Sequence, residues 1–94
     1  MEYEYPTDEV LDYIHAYKGN DYVQLMNGIK AEWWAPEWGW REYQDKEHVF
    51  YEISTGGWSG NESLISAMQC NYLFWARCWQ MSRIGGHYIF KVKK

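Results

Sequence analysis

Apolar positions follow three rhythms along the chain: helical over the first third, alternating through the middle, then helical again before a short alternating close. Pro6-Thr7-Asp8-Glu9 starts the first helix, with Thr7 as N-cap and two acids favouring the dipole of the opening turn. Val10, Leu11, Ile14 and Tyr17 share one face, His15 sits nearer its edge, and Lys18-Gly19 closes the element. Asn20 is placed to cap a second helix over residues 20–34. There Tyr22, Leu25, Met26, Ile29 and Trp33 keep the i, i+3, i+4, i+7, i+11 spacing, although Gly28 costs about 1 kcal/mol relative to Ala. Pro36 ends that helix by disfavouring helical geometry at Ala35.

The middle predicts a hairpin: residues 38–44, a turn at Asp45-Lys46, then residues 47–55, rich in aromatic and β-branched side chains. In the second strand Val49, Tyr51 and Ile53 share the face expected to be buried, while His48, Phe50, Glu52 and Ser54 share the other. Residues 62–81 predict one long aromatic helix. Leu64, Ile65, Met68, Tyr72, Trp75, Ala76 and Trp79 form its broad face, which Leu73, Phe74 and Cys78 widen almost to a full circle. Ser82-Arg83-Ile84-Gly85-Gly86 breaks it, and His87 to Lys93 alternates as a final strand. The expected fold is α+β in the order α-α-β-β-α-β, one domain over residues 1–94, with a three-stranded, mostly antiparallel sheet packed by helices. The closing strand can pair with residues 47–55 or sit at the sheet edge.

Composition sharpens this picture. At 94 residues the chain has room for one core. Seven Trp and nine Tyr supply wide, partly polar side chains that favour interfaces as well as cores. Nine basic against thirteen acidic residues give a formal charge of −4, which counts against a nucleic-acid binder that follows a phosphate backbone. Only Lys91, Lys93 and Lys94 cluster. No apolar stretch approaches the roughly 20 residues of a membrane span, and Met1-Glu2-Tyr3-Glu4 lacks the order of a signal peptide, so the expected location is the cytoplasm. Cys70 and Cys78, eight residues apart on one predicted helix, are expected as free thiols with no disulfide between them. With His15, His48 and His87 they make no recognisable metal-ligand spacing, so neither metal nor cofactor is expected.

The densest candidate chemistry lies in Ser54-Thr55-Gly56-Gly57-Trp58-Ser59-Gly60-Asn61-Glu62-Ser63. Ser59 and Glu62 have the spacing of a capping box, which places a helix N-terminus beside an indole. An anion carrying a flat ring suits that combination; a tight structural turn with Trp58 packed inward is the competing interpretation. Arg83 and His87 reach the same loop if the closing strand runs beside the one ending at Thr55. The expected ligand site is therefore Gly56, Gly57, Trp58, Ser59, Gly60 and Asn61 with Arg83 and His87. Arg83 as a cap on the long helix and His87 as an ordinary strand residue are the plainer roles. Trp33, Trp34, Trp38 and Trp40 crowd around Pro36, too many indoles for one buried face, and offer a partner-binding surface. Arg77 can stack on an aromatic neighbour. There is no nucleophile elbow, P-loop lysine or zinc-helix motif, and a triad of Ser54 or Ser59 with His87 and an acid such as Glu62 depends on geometry that sequence does not supply. An enzyme is not expected.

Residues 54–90, STGGWSGNESLISAMQCNYLFWARCWQMSRIGGHYIF, resemble a group of small uncharacterised proteins of phages and prophages. In these a TGGWSGNE-like loop precedes an aromatic helix that ends in an R-x-GGH-Y-like segment. The resemblance implies a viral or prophage origin and names no activity. Proteins of this kind are often accessory factors that bind a host protein or neutralise a defence system, some by sequestering nucleotide signals. The expected function is thus a non-catalytic, anti-defence accessory role through an anionic, nucleotide-like ligand, with possible self-association. The alternative is an inhibitor or adaptor that holds a host or defence protein on exposed Trp and Tyr.

Overall fold

A computed structural model describes residues 5–94; Met1, Glu2, Tyr3 and Glu4, the acidic start discussed above, lie outside them. Helices α1 (Asp8–Ala16), α2 (Tyr22–Glu32) and the short α3 (Pro36–Gly39) lead into strands β1 (Trp40–Gln44) and β2 (His48–Ser54). Helices α4 (Ser59–Cys70) and α5 (Tyr72–Cys78) follow, then strands β3 (Trp79–Arg83) and β4 (His87–Lys93). The α+β class holds. Among the described residues, however, the sheet has four strands, all antiparallel, in the order β1-β2-β4-β3.

The two opening helices form as their patterns require. Thr7 Oγ1 accepts from Val10 N at 3.2 Å, and Ile14 is buried, with Val10, Leu11 and Tyr17 packed against the core. In α2 the cap is Asp21 rather than Asn20: its carboxylate accepts from Gln24 N at 3.0 Å. Tyr22, Leu25, Met26, Ile29 and Trp33 are all buried, and Gly28 faces open space. Helix α1 closes at Tyr17 instead of Lys18-Gly19, and Pro36 starts α3 instead of ending α2, with Ala35 before it in the left-handed region at φ 55°. A proline at the first helical position loses no hydrogen bond, which is why the chain uses it there.

The long helix expected over residues 62–81 is divided. Asn71 ends α4 and caps α5, its Oδ1 accepting from Phe74 N at 3.3 Å while Nδ2 donates to the carbonyls of Ile14 and Tyr17 at 2.9 and 3.0 Å. The buried amide satisfies the end of α1 and the start of α5 together, and the break changes the helix phase. Phe74 and Cys78 turn inward, whereas Tyr72 and Leu73 are exposed. Trp79 to Arg83 then leave helical geometry to form β3, which returns through Ile84-Gly85-Gly86 to β4, with both glycines at positive φ.

The break also separates the thiols: Cys70 ends α4 on the surface and Cys78 ends α5 inside. Burial pushes the Cys78 thiol up to about 12, so almost no thiolate forms at neutral pH. A thiol-reactive dye should therefore label Cys70 in the native protein and Cys78 only after denaturation. Rapid native labelling of both would contradict the burial of α5.

Val49, Tyr51 and Ile53 of β2 and Phe90 and Val92 of β4 join residues of α1, α2, α4 and α5 in one core. The helices thus cover one side of the sheet. The other side carries Arg41 and Tyr43 from β1, His48, Phe50, Glu52 and Ser54 from β2, His87, Ile89, Lys91 and Lys93 from β4, and Met81 and Arg83 from β3. Trp38 of α3 borders it at the Ser54 end. Among the described residues no helix is long and apolar enough to cross a membrane.

Candidate functional site

The loop after β2 is shaped by hydrogen bonds before it offers anything to a ligand. Thr55 is buried; its N–H donates to the Gly86 carbonyl at 3.0 Å and its carbonyl accepts from Trp58 N at 3.1 Å. Gly56 and Gly57 take positive φ of 64° and 73°, and a Cβ on Gly56 would meet the Trp38 ring at 3.0 Å. The glycines serve the turn and the close approach of that indole. No capping box forms: Ser59 is already helical, Trp58 stands at the N-cap position, and Ser63 Oγ donates back to the Ser59 carbonyl at 3.0 Å.

Asn61 is fully buried. Its Oδ1 accepts from Trp34 N at 2.8 Å and its Nδ2 donates to the carbonyls of Trp34 and Thr55 at 3.1 and 3.3 Å, so every polar atom of the side chain is engaged within the protein. The residue clamps the segment before α3 to the start of α4, and no part of it is left for a ligand. Trp58 is half-buried, neither in the core nor fully presented: Tyr5 stacks on it at 5.3 Å and Trp34 leans against it at 5.6 Å.

Arg83 and His87 lie elsewhere. β4 runs beside β2, with Ser54 opposite His87, so the pairing needed to bring His87 towards Thr55 is present. The side chains nonetheless fall on the open face, in a cleft of about 300 Å³ at the Ser54 end of the sheet. Trp38, Arg41, Glu52, Ser54, Arg83 and His87 line it, and Trp58 does not. This volume is at the lower edge of small-ligand clefts, which start at about 300 Å³. Trp38 is 67% exposed and stands between the cleft and the glycine loop. No family model, curated protein or solved structure matches the chain. Its chemistry must therefore be taken from the cleft.

Two guanidinium groups, from outer strands β1 and β3, border a central pair in which Ser54 Oγ and His87 Nδ1 share a 2.6 Å hydrogen bond. Among the described residues neither Arg41 nor Arg83 forms an ion pair; Arg83 Nε donates to Met81 Sδ at 3.4 Å. Glu52 accepts from the Tyr43 hydroxyl at 3.0 Å. Ser54 and His87 are brought together in the cleft, whereas Ser59 and Glu62 are on α4 and do not line it. Among the described residues no group of His, Cys, Asp and Glu side chains converges as a set of metal ligands.

The four tryptophans around Pro36 divide in two. Trp33 and Trp40 are buried and meet edge to face at 5.4 Å, which withdraws them from any partner surface. Trp34 and Trp38 are exposed. The sequence reading missed Arg41. Its signal was alternation in the predicted hairpin, which puts it on the face that does not carry Val49, Tyr51 and Ile53; the structure pairs it with Glu52.

Proposed function

We propose that the protein binds an anionic, nucleotide-like small ligand without transforming it, in the cleft bounded by Trp38, Arg41, Arg83 and His87. The observation that carries this reading is two guanidinium groups, neither in an ion pair among the described residues, facing one cleft beside an exposed indole. Planar guanidinium forks match phosphate oxygens bidentately, and an indole face accepts a base. The glycine loop supports the site from behind by seating Trp38. An accessory role of the phage type, in which such a protein withdraws a nucleotide signal, belongs to the same proposal.

Calorimetric titration with linear and cyclic nucleotides tests it. Arg41→Ala and Arg83→Ala should each weaken binding by roughly 1.5–3 kcal/mol, as lost charge-assisted hydrogen bonds do, and flatten its salt dependence. Trp38→Ala should remove a stacking contact of roughly 1–3 kcal/mol. Trp58→Ala should leave affinity unchanged. A panel in which nothing binds, or a loss confined to Trp58→Ala, overturns the cleft assignment.

The second reading, a host or defence protein held on an aromatic surface, is favoured by the adjoining rings of Tyr5, Trp34, Trp38 and Trp58. It takes over if nucleotides fail and a purified partner is lost on Trp34→Ala and Trp38→Ala.

A further inference from the structure

We infer that the open face of the sheet is a track for single-stranded nucleic acid, with one of its nucleotides held in the cleft; the inference rests on the cleft being a nucleotide site and extends it along the strands. The charge that counts against nucleic acid is a total, and the fold sorts it by face. The strand residues of the open face include Arg41, Arg83, Lys91 and Lys93 against Glu52, and Asp45 of the β1–β2 turn lies beside His48 at its edge. Counting Asp45, that is +2 on a chain whose formal total is −4, so the rest of the sequence carries −6. Exposed charges act within a screening length of about 8 Å, so a strand lying on this face meets the local excess.

The same face carries flat aromatic surface. Tyr43 and Phe50 stack at 5.2 Å with 16° between their planes, and Lys91 Nζ lies 5.8 Å from the Phe50 ring centre. Phe50 is four residues along β2 from Ser54, a distance of about 13 Å, which spans more than one nucleotide of an extended strand. Between them Ile89 and Met81 keep the floor low and apolar. Cations on outer and inner strands around a stacked aromatic pair can hold phosphates while bases lie on rings. A duplex hides its base faces and would find no helix here to enter a groove. An acidic peptide would satisfy the lysines and arginines but leave the ring faces without a flat partner.

Fluorescence anisotropy with labelled oligothymidylate and oligouridylate of increasing length decides the matter, alongside mononucleotide binding measured separately. Affinity should rise with strand length and fall with salt. Phe50→Ala should lower oligonucleotide affinity roughly tenfold while mononucleotide binding stays unchanged, because Phe50 is outside the cleft. Lys91→Glu, a surface change that leaves the core intact, should lower it further and reduce the salt slope. Mononucleotide binding with no gain from length would overturn the track and leave the cleft standing. Length-dependent binding that needs Phe50, without mononucleotide binding, would support the track and overturn the cleft as a separate small-ligand site. Polyglutamate binding more tightly than either strand would replace nucleic acid with an acidic protein partner.

Discussion

Asn61→Ala should destabilise the fold by about 3 kcal/mol, enough to lower the melting temperature by roughly 10–20 °C for a domain of this size. The side chain serves three backbone groups at once, and its removal strands the N–H and C=O of Trp34 where the buried amide had replaced water. A buried polar group left without its partner costs more than the hydrogen bond contributed, which makes this a larger effect than a lost surface contact. Glu62→Ala next to it should change stability by no more than about 0.5 kcal/mol, since the glutamate is exposed and caps nothing. Thermal unfolding of both variants provides the comparison. Equal losses would restore the capping box and refute the clamp.

The second large effect separates the two faces of the sheet. Phe90→Ala should cost roughly 3–5 kcal/mol, because the ring is fully buried against Phe74 at 5.9 Å and Trp75 at 5.5 Å and its loss leaves a cavity between sheet and helices. Phe50→Ala, on the adjacent strand but the opposite face, should cost less than about 1 kcal/mol. Denaturant midpoints at constant slope measure the difference. A large loss at Phe50 would mean that something packs on the open face and would remove it as a binding surface.

What the sequence made legible follows from which signals are local. Thr7 caps a helix, and Tyr22, Leu25, Met26, Ile29 and Trp33 are buried, because cap chemistry and a sustained helical period act within a few residues. Alternation in residues 48–54 likewise predicts which side of β2 enters the core. Asn71 was not legible: its reason for breaking a helix lies in the carbonyls of Ile14 and Tyr17, more than fifty residues earlier. Without that break the apolar residues of α4, α5 and β3 merge into one overly wide helical face, and β3 disappears. That lost strand is why Arg83 reads from sequence either as a helix cap or as a cation near Trp58, when it stands on the open face beside His87. The capping box failed for a related reason. Ser59 and Glu62 have the right spacing, but Asn61, a long-range clamp, sets where α4 begins.

The position of β4 has a consequence for how the molecule comes into being. It follows every other described element along the chain, yet it occupies an inner place in the sheet, flanked by β2 and β3. A nascent chain emerging residue by residue can assemble α1, α2 and the β1–β2 hairpin early. One edge of β2 then stays unpaired, and the seats of Phe90 and Val92 stay unfilled, until β4 itself has been made. Folding is therefore committed late, through pairings distant in sequence, and the unfinished molecule presents a bare hydrogen-bonding edge of the kind that recruits other chains.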